Sequence, residues 1–214
     1  MKPKLLLILS LPLLVFAGAF FLFAFASTST YQKWSVGDET PATVTAEAMR
    51  RIGVDQPEWR TLVISISKEV NVPRSVIWSI WAELPGWPRW SRPLHKSARW
   101  LGKPGWRTGA QFEQVLNLGF PVGERTSHEH VEKVSEGEQV VWWKEEDGIR
   151  SCHIWRFEEL PGGRTRITNT EVFHGTSIGM IKILVGPRWL KLFELAVDQL
   201  ALEGTSYLKR NEVR

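Results

Sequence analysis

The stretch TLVISISKEVNVPRSVIWSIWAELPGWPRWSRP, from Thr61 to Pro93, decides how this chain folds. It opens with a β-branched run in which Leu62, Ile64 and Ile66 alternate with Val63, Ser65 and Ser67, the period of two that marks a half-buried strand. Pro73 then changes the state of the chain. Proline is tolerated in the first turn of a helix, where its missing N–H would lack a partner anyway, and Val76, Ile77, Ile80 and Trp81 follow at helical spacing. Pro85, Gly86 and Pro88 stop that helix and leave Trp87 and Trp90 in a tight Trp-Pro-Arg-Trp segment, before Pro93 imposes the next extended piece.

Beyond Pro93 the chain reads as short strands separated by turn residues: His95 to Trp100, Gly109 to Leu118, Glu124 to Val134, Gln139 to Glu145, Ile149 to Glu158 and Arg164 to His174. Asp147-Gly148 is a tight-hairpin signal between the fourth and fifth of these. With Thr61 onward that makes seven strands of an antiparallel sheet. Gly186-Pro187 then opens a last helix, in which Trp189, Phe193, Ala196, Val197, Leu200, Ala201 and Leu208 form one apolar stripe. A long helix with one such stripe needs a concave sheet to bury it. Between them Gly175 to Val185 is apolar but too short to span a membrane, and reads as core or as a lid.

In this order the features resemble the SRPBCC superfamily, the Bet v 1-like or START-like helix-grip proteins, and most closely its polyketide cyclase/dehydrase-like members. The residues that carry the resemblance are Pro73 with Val76 and Trp78, Trp87-Pro88-x-Trp90, Gly109, Trp142-Trp143, His153 before Phe157, Gly162-Gly163-x-Thr165, Glu171, Gly175 and the terminal helix. They span Thr61 to Leu208. The resemblance implies an α+β helix-grip fold: a curved seven-stranded antiparallel sheet wrapped around a long carboxy-terminal helix, with a cavity between them.

At the amino terminus Lys2 and Lys4 precede an apolar run, Leu5 to Ala26, interrupted only by Ser10 and Pro12. About 20 such residues cross a bilayer as a helix. Residues 1–26 are thus expected to be a transmembrane or signal helix, residues 27–60 a linker and residues 61–214 the helix-grip domain. The basic residues before the run place the amino terminus in the cytoplasm and the domain on the periplasmic or extracellular side of a single-pass anchor. Ala24-Phe25-Ala26 before Ser27 is also an acceptable cleavage site, which keeps secretion after signal cleavage as the alternative. Within the linker a weak helical piece, Val44 to Ile52, precedes a capping Gly53.

Composition narrows the partners. Apart from Lys2 and Lys4 the basic residues nearly balance the 23 acidic ones, and no basic stripe with interleaved aromatics points to nucleic acid. Twelve Trp against two Tyr is unusual, and rings in that number either pack a core heavily or line an apolar pocket. Cys152 is the only cysteine, so no intrachain disulfide forms.

Residues two apart on a strand share a face. On Ile149 to Glu158 the more apolar face holds Ser151, His153, Trp155 and Phe157; on the last strand Asn169 and Glu171 share a face with Ile167 and Phe173. Cys152 points away from His153, which excludes a thiol–imidazole pair. The expected cavity lining is Trp87, Trp90, Phe112, Leu116, Trp143, His153, Trp155, Asn169, Glu171 and Phe173, although parity does not choose between Trp142 and Trp143. His128 and His130 project together but have no third ligand nearby and charged neighbours, so no metal is expected, and no cofactor signature is present. Oligomeric state has no signal.

These residues support three functions. The first is a membrane-tethered binding protein for an apolar or amphipathic small molecule, such as a lipid, polyketide or isoprenoid. The second is a cyclase- or dehydratase-like enzyme in which His153 or Glu171 moves a proton. The third is a scaffold whose own indoles fill the cavity.

Overall fold

The computed structural model describes residues 18–20, 22–23, 27–33 and 40–212. Its strands are β1 (Thr30–Lys33), β2 (Thr61–Val70), β3 (His95–Trp100), β4 (Gln111–Asn117), β5 (Glu124–Ser135), β6 (Gln139–Glu146), β7 (Ile149–Leu160) and β8 (Arg164–His174). They form one sheet in the order β1-β2-β8-β7-β6-β5-β4-β3. The helices are α1 (Thr40–Arg51), α2 (Arg74–Trp81), α3 (Trp87–Trp90) and α4 (Thr176–Glu212).

The seven expected strands are β2 to β8, which pair with one another antiparallel throughout. The sheet has eight strands rather than seven, because β1 adds to the edge in parallel with β2, from Thr30 opposite Val63 to Lys33 opposite Ile66. Nothing in four residues, TYQK, alternates strongly enough to announce a strand. What holds them is tertiary: the free edge of β2, an ion pair from Lys33 to Glu194 of α4, and a bond from Lys182 Nζ of α4 to Ser29 Oγ at 2.8 Å. Helix α1, the weak helical piece of the sequence, covers the outer face of the sheet. Val44, Ala48, Met49 and Ile52 pack there with Val63, Val141, Cys152, Ile154 and Val172 as a second, smaller core. The stretch expected to be a linker therefore contributes a strand and a helix to the folded unit.

A second difference concerns α4, which begins at Thr176, ten residues before the expected Gly186-Pro187 start. Pro187 lies inside it, on the exposed side. Ile178 and Val185 are buried on the N-terminal half of the helix, Val197 and Leu200 on the C-terminal half, and one burying stripe carries the helix through the proline.

The indoles gather at one end of the groove. Trp81, fully buried at the end of α2, has its ring centroid 4.6 Å from that of Trp106, 5.6 Å from Trp87 and 5.9 Å from Trp155. Two ring N–H groups close the turns around it: Trp87 Nε1 donates to Trp81 O at 2.6 Å and Trp106 Nε1 to Ala82 O at 2.9 Å. This end of the space between sheet and α4 is solid with rings.

The apolar run Leu5 to Ala26 lies mostly outside the described residues; 18–20 and 22–23 are helical. Among the described residues no helix is long and apolar enough to cross a membrane.

Candidate ligand-binding cavity

Away from the rings the space stays open. A cavity of about 760 Å³ lies between the sheet and the N-terminal half of α4, within the size range of small-molecule sites. Its walls include Leu94, Leu116, Phe173, Ile178, Trp189 and Phe193, and the exposed Glu124, Thr126, Asp147 and Ser177 also line it. The loop between β4 and β5 adds Leu118 and Val122 to the wall, with Phe120 between them 83 % exposed.

Of the residues expected in the lining, Leu116, His153, Glu171 and Phe173 are there. Trp87, Trp90, Phe112 and Trp155 face inward but belong to the core cluster beside the cavity. Asn169 sits behind His153, and its Oδ1 accepts from His153 Nε2 at 2.6 Å. Trp143 is not in the lining. It is 40 % exposed on the outer face, stacked on His130, while Trp142 points inward. The reason is register. The two-residue turn at Asp147-Gly148, both with positive φ, pins β6 against β7 so that Trp142 lies opposite His153 and Trp143 opposite Cys152. Cross-strand partners share a face, so the ring facing the cavity is the one paired with His153.

His128 and His130 stay on the outer face, with His128 Nε2 3.2 Å from Glu113 Oε2. Among the described residues no group of three His, Cys, Asp or Glu is placed to hold a metal.

The polar floor has two parts. On β7 and β8, His153 is held between Asn169 at Nε2 and Glu171, whose Oε2 is 3.2 Å from Nδ1, while Phe193 of α4 stacks on the ring at 5.4 Å between centroids. Donation from Nε2 to Asn169 fixes that ring edge and turns Nδ1 to the carboxylate. Nδ1 and the Glu171 carboxyl thus meet side by side at the cavity wall.

The second part was not foreseen. His95, Gln114, Ser127 and Glu129 are buried side by side on β3, β4 and β5, and Lys144 of β6 reaches them. Gln114 Nε2 and Ser127 Oγ donate to the same oxygen, Glu129 Oε1, at 2.9 and 2.5 Å, and Lys144 Nζ donates to Ser127 Oγ. His95 Nε2 donates to Gln114 Oε1 at 3.1 Å, and its Nδ1 is 2.9 Å from Ser91 Oγ. Burial holds the His95 imidazole down to a pKa of about 3, so the ring is neutral and Nδ1 accepts from Ser91. Burial raises the Glu129 pKa; the Glu171 charge pushes the same way, and Lys144, Ser127 and Gln114 oppose. Alternation was the only available signal: Ser127, Glu129 and Val131 share a face, but a serine and a glutamate on a strand resemble a solvated face.

Residues 61–203 match the family described as polyketide cyclase / dehydrase and lipid transport. The chain belongs to that family. The solved structures it resembles include the aromatase/cyclase Zhui from Streptomyces sp. R1128, at TM-score 0.55 and 11 % identity over 69 % of this chain and 96 % of that one. They also include major latex-like protein 151 from Panax ginseng, at 0.53 and 7 % over 68 % and 98 %, and a protein from Thermus thermophilus, at 0.56 and 15 % over 68 % and 98 %. No curated protein matches the chain. That family places it in the SRPBCC superfamily, and at these identities the neighbours speak for the fold alone.

Proposed function

We propose that this domain binds a small molecule with an apolar body and one polar end, held between the sheet and α4. The observation that carries the reading is the cavity itself: apolar walls over a buried polar floor, left open although Trp side chains fill the other end of the groove. A scaffold sealed by its own rings would have no such volume. Lipids, polyketides and isoprenoids fit this description, and the family description supports the same class. The run Leu5 to Ala26 extends the reading to a domain tethered at the outer side of a membrane, with release after signal cleavage as the alternative; fractionation with protease protection separates the two.

The test fills the cavity. Ile181, half-buried on α4 at the lining, is replaced by Trp. Wild-type protein purified from its native membrane is expected to carry a small apolar molecule in native mass spectrometry, and the Ile181→Trp variant to carry none while keeping its fold. A wild-type protein that carries nothing and binds no apolar fluorophore saturably would refute the reading.

The His153–Glu171 contact favours a second reading, proton transfer on a bound substrate of cyclase or dehydratase type. In that case His153→Asn or Glu171→Gln leaves binding in place and lowers turnover by about a hundredfold or more, the scale of general acid or base catalysis.

A further inference from the structure

Glu129 carries a contradiction that the packing alone does not resolve. It is 2 % exposed, and its two oxygens are treated unequally. Oε1 receives every available donor, Gln114 Nε2 and Ser127 Oγ, while Oε2 has no hydrogen-bond partner and the side chain lines the cavity. The directions of the surrounding bonds are fixed. Lys144 has only protons to give, so Ser127 accepts from it and donates onward; His95, neutral, gives its one N–H to Gln114 Oε1, so the Gln114 amide nitrogen turns to Glu129. Donors therefore converge from both sides on one oxygen.

A carboxylate has two equivalent oxygens that both seek donors. A carboxylic acid has one accepting oxygen and one that donates. The division of partners at Glu129 is the second pattern, and it locates the proton on Oε2, because Oε1 is occupied twice as an acceptor. We propose that Glu129 is a neutral carboxylic acid at the cavity floor whose Oε2–H donates to an acceptor oxygen of the bound molecule, so that the domain selects apolar ligands bearing a carbonyl or similar oxygen. The inference rests on the cavity reading above and names the chemistry of its polar end.

The surroundings weigh the same way on balance. Burial, the largest influence, and the neighbouring Glu171 carboxylate both act against a charge on Glu129, while Lys144, whose charge acts for one, donates to Ser127 and does not pair with the carboxyl directly. Of the other titratable groups lining the cavity, His95 of β3 bonds to Gln114 and His153 of β7 to Asn169 and Glu171 of β8, while Glu124, Arg125, Glu146 and Asp147 are exposed to solvent. None of them covers Oε2. A neutral acid kept so by its surroundings, and used as a hydrogen-bond donor to a substrate oxygen, is a known device of enzyme sites.

Two measurements test this. In infrared spectra of the wild-type protein at neutral pH, a carboxylic-acid C=O stretch is expected, lost in Glu129→Gln and kept in Glu171→Gln; absence of the band overturns the proposal whatever the ligand. Binding of acetylnaphthalene and of ethylnaphthalene, which share a body and differ by the carbonyl, is then compared through Trp fluorescence. The ratio of ketone to hydrocarbon affinity is expected to fall by about two- to tenfold in Glu129→Met, the worth of one hydrogen bond, and to hold within about twofold in Glu129→Gln, whose amide keeps an N–H donor. An unchanged ratio in Glu129→Met, or a Gln variant that behaves like Met, overturns the donor role while leaving the cavity reading intact. Failure of the wild type to bind either naphthalene saturably removes both.

Discussion

His95 shows how much one buried side chain governs response to acid. The ring keeps its neutral form down to about pH 3 in the folded protein, whereas in the unfolded chain it titrates at its ordinary value of 6.5. Below 6.5 the unfolded chain takes up a proton that the folded chain refuses, so this contribution is intact above pH 6.5 and drains away as the pH falls toward 3. At pH 5 the loss is about 2 kcal/mol. Glu129 acts in the opposite direction, its raised pKa favouring the folded state on acidification, so the two partly offset. Urea unfolding at pH 7 and pH 5 should show a smaller acid loss in His95→Gln than in wild type, by that order. Cys152 gives a simpler expectation. It is fully buried under α1, and burial pushes its thiol well above the usual range. A thiol-reactive reagent should therefore leave the native protein unlabelled and add one equivalent in denaturant, because only the thiolate reacts.

At the scale of elements, the meeting of β1 and α4 is the most exacting contact. A Cβ at Gly186 would lie 2.1 Å from the Tyr31 ring, so only the absence of a side chain lets the added strand close against the helix. Gly186→Ala in the wild type is expected to destabilise by about 1–3 kcal/mol through overpacking. In a Tyr31→Ala background the same change should cost nothing or stabilise by up to about 1 kcal/mol, the helix preference of Ala over Gly. A double-mutant cycle measured by chemical denaturation reads the coupling, and additive effects would show that β1 does not dock there. This junction is also where the sequence was least legible. Strands β2 to β8 declare themselves by alternation and turns, and parity brought His153, Asn169 and Glu171 to the inner face. Strand β1 is created by its surroundings and has no local signature. Trp142 was readable in principle, since a two-residue hairpin at Asp147-Gly148 sets His153's partner, but Glu129 was not, because polar residues that face a cavity look like polar residues that face water.

For the whole molecule, the division of the groove into a ring-filled end and an open end predicts how stability and binding separate. An apolar ligand that occupies the open end binds only the folded state, so it should stabilise the fold by about 2.7 kcal/mol at a hundred times its dissociation constant and raise the melting temperature with concentration. Calorimetry checks this, and Ile181→Trp should abolish the dependence without lowering the unliganded melting temperature by more than the cost of the larger ring, about 1–3 kcal/mol. The location of β1 has one more consequence if Leu5 to Ala26 anchors the protein as proposed. Only Ser27, Thr28 and Ser29 separate that run from the first residue of the sheet, a reach of at most about 14 Å even when fully extended. Ser29 is itself held by Lys182, the neighbour of Ile181 on the cavity wall. The domain would then stand on the bilayer like a gate on a hinge post, with its helix wall close to the lipid surface, and a molecule leaving the acyl layer would enter the cavity without a diffusive search through water.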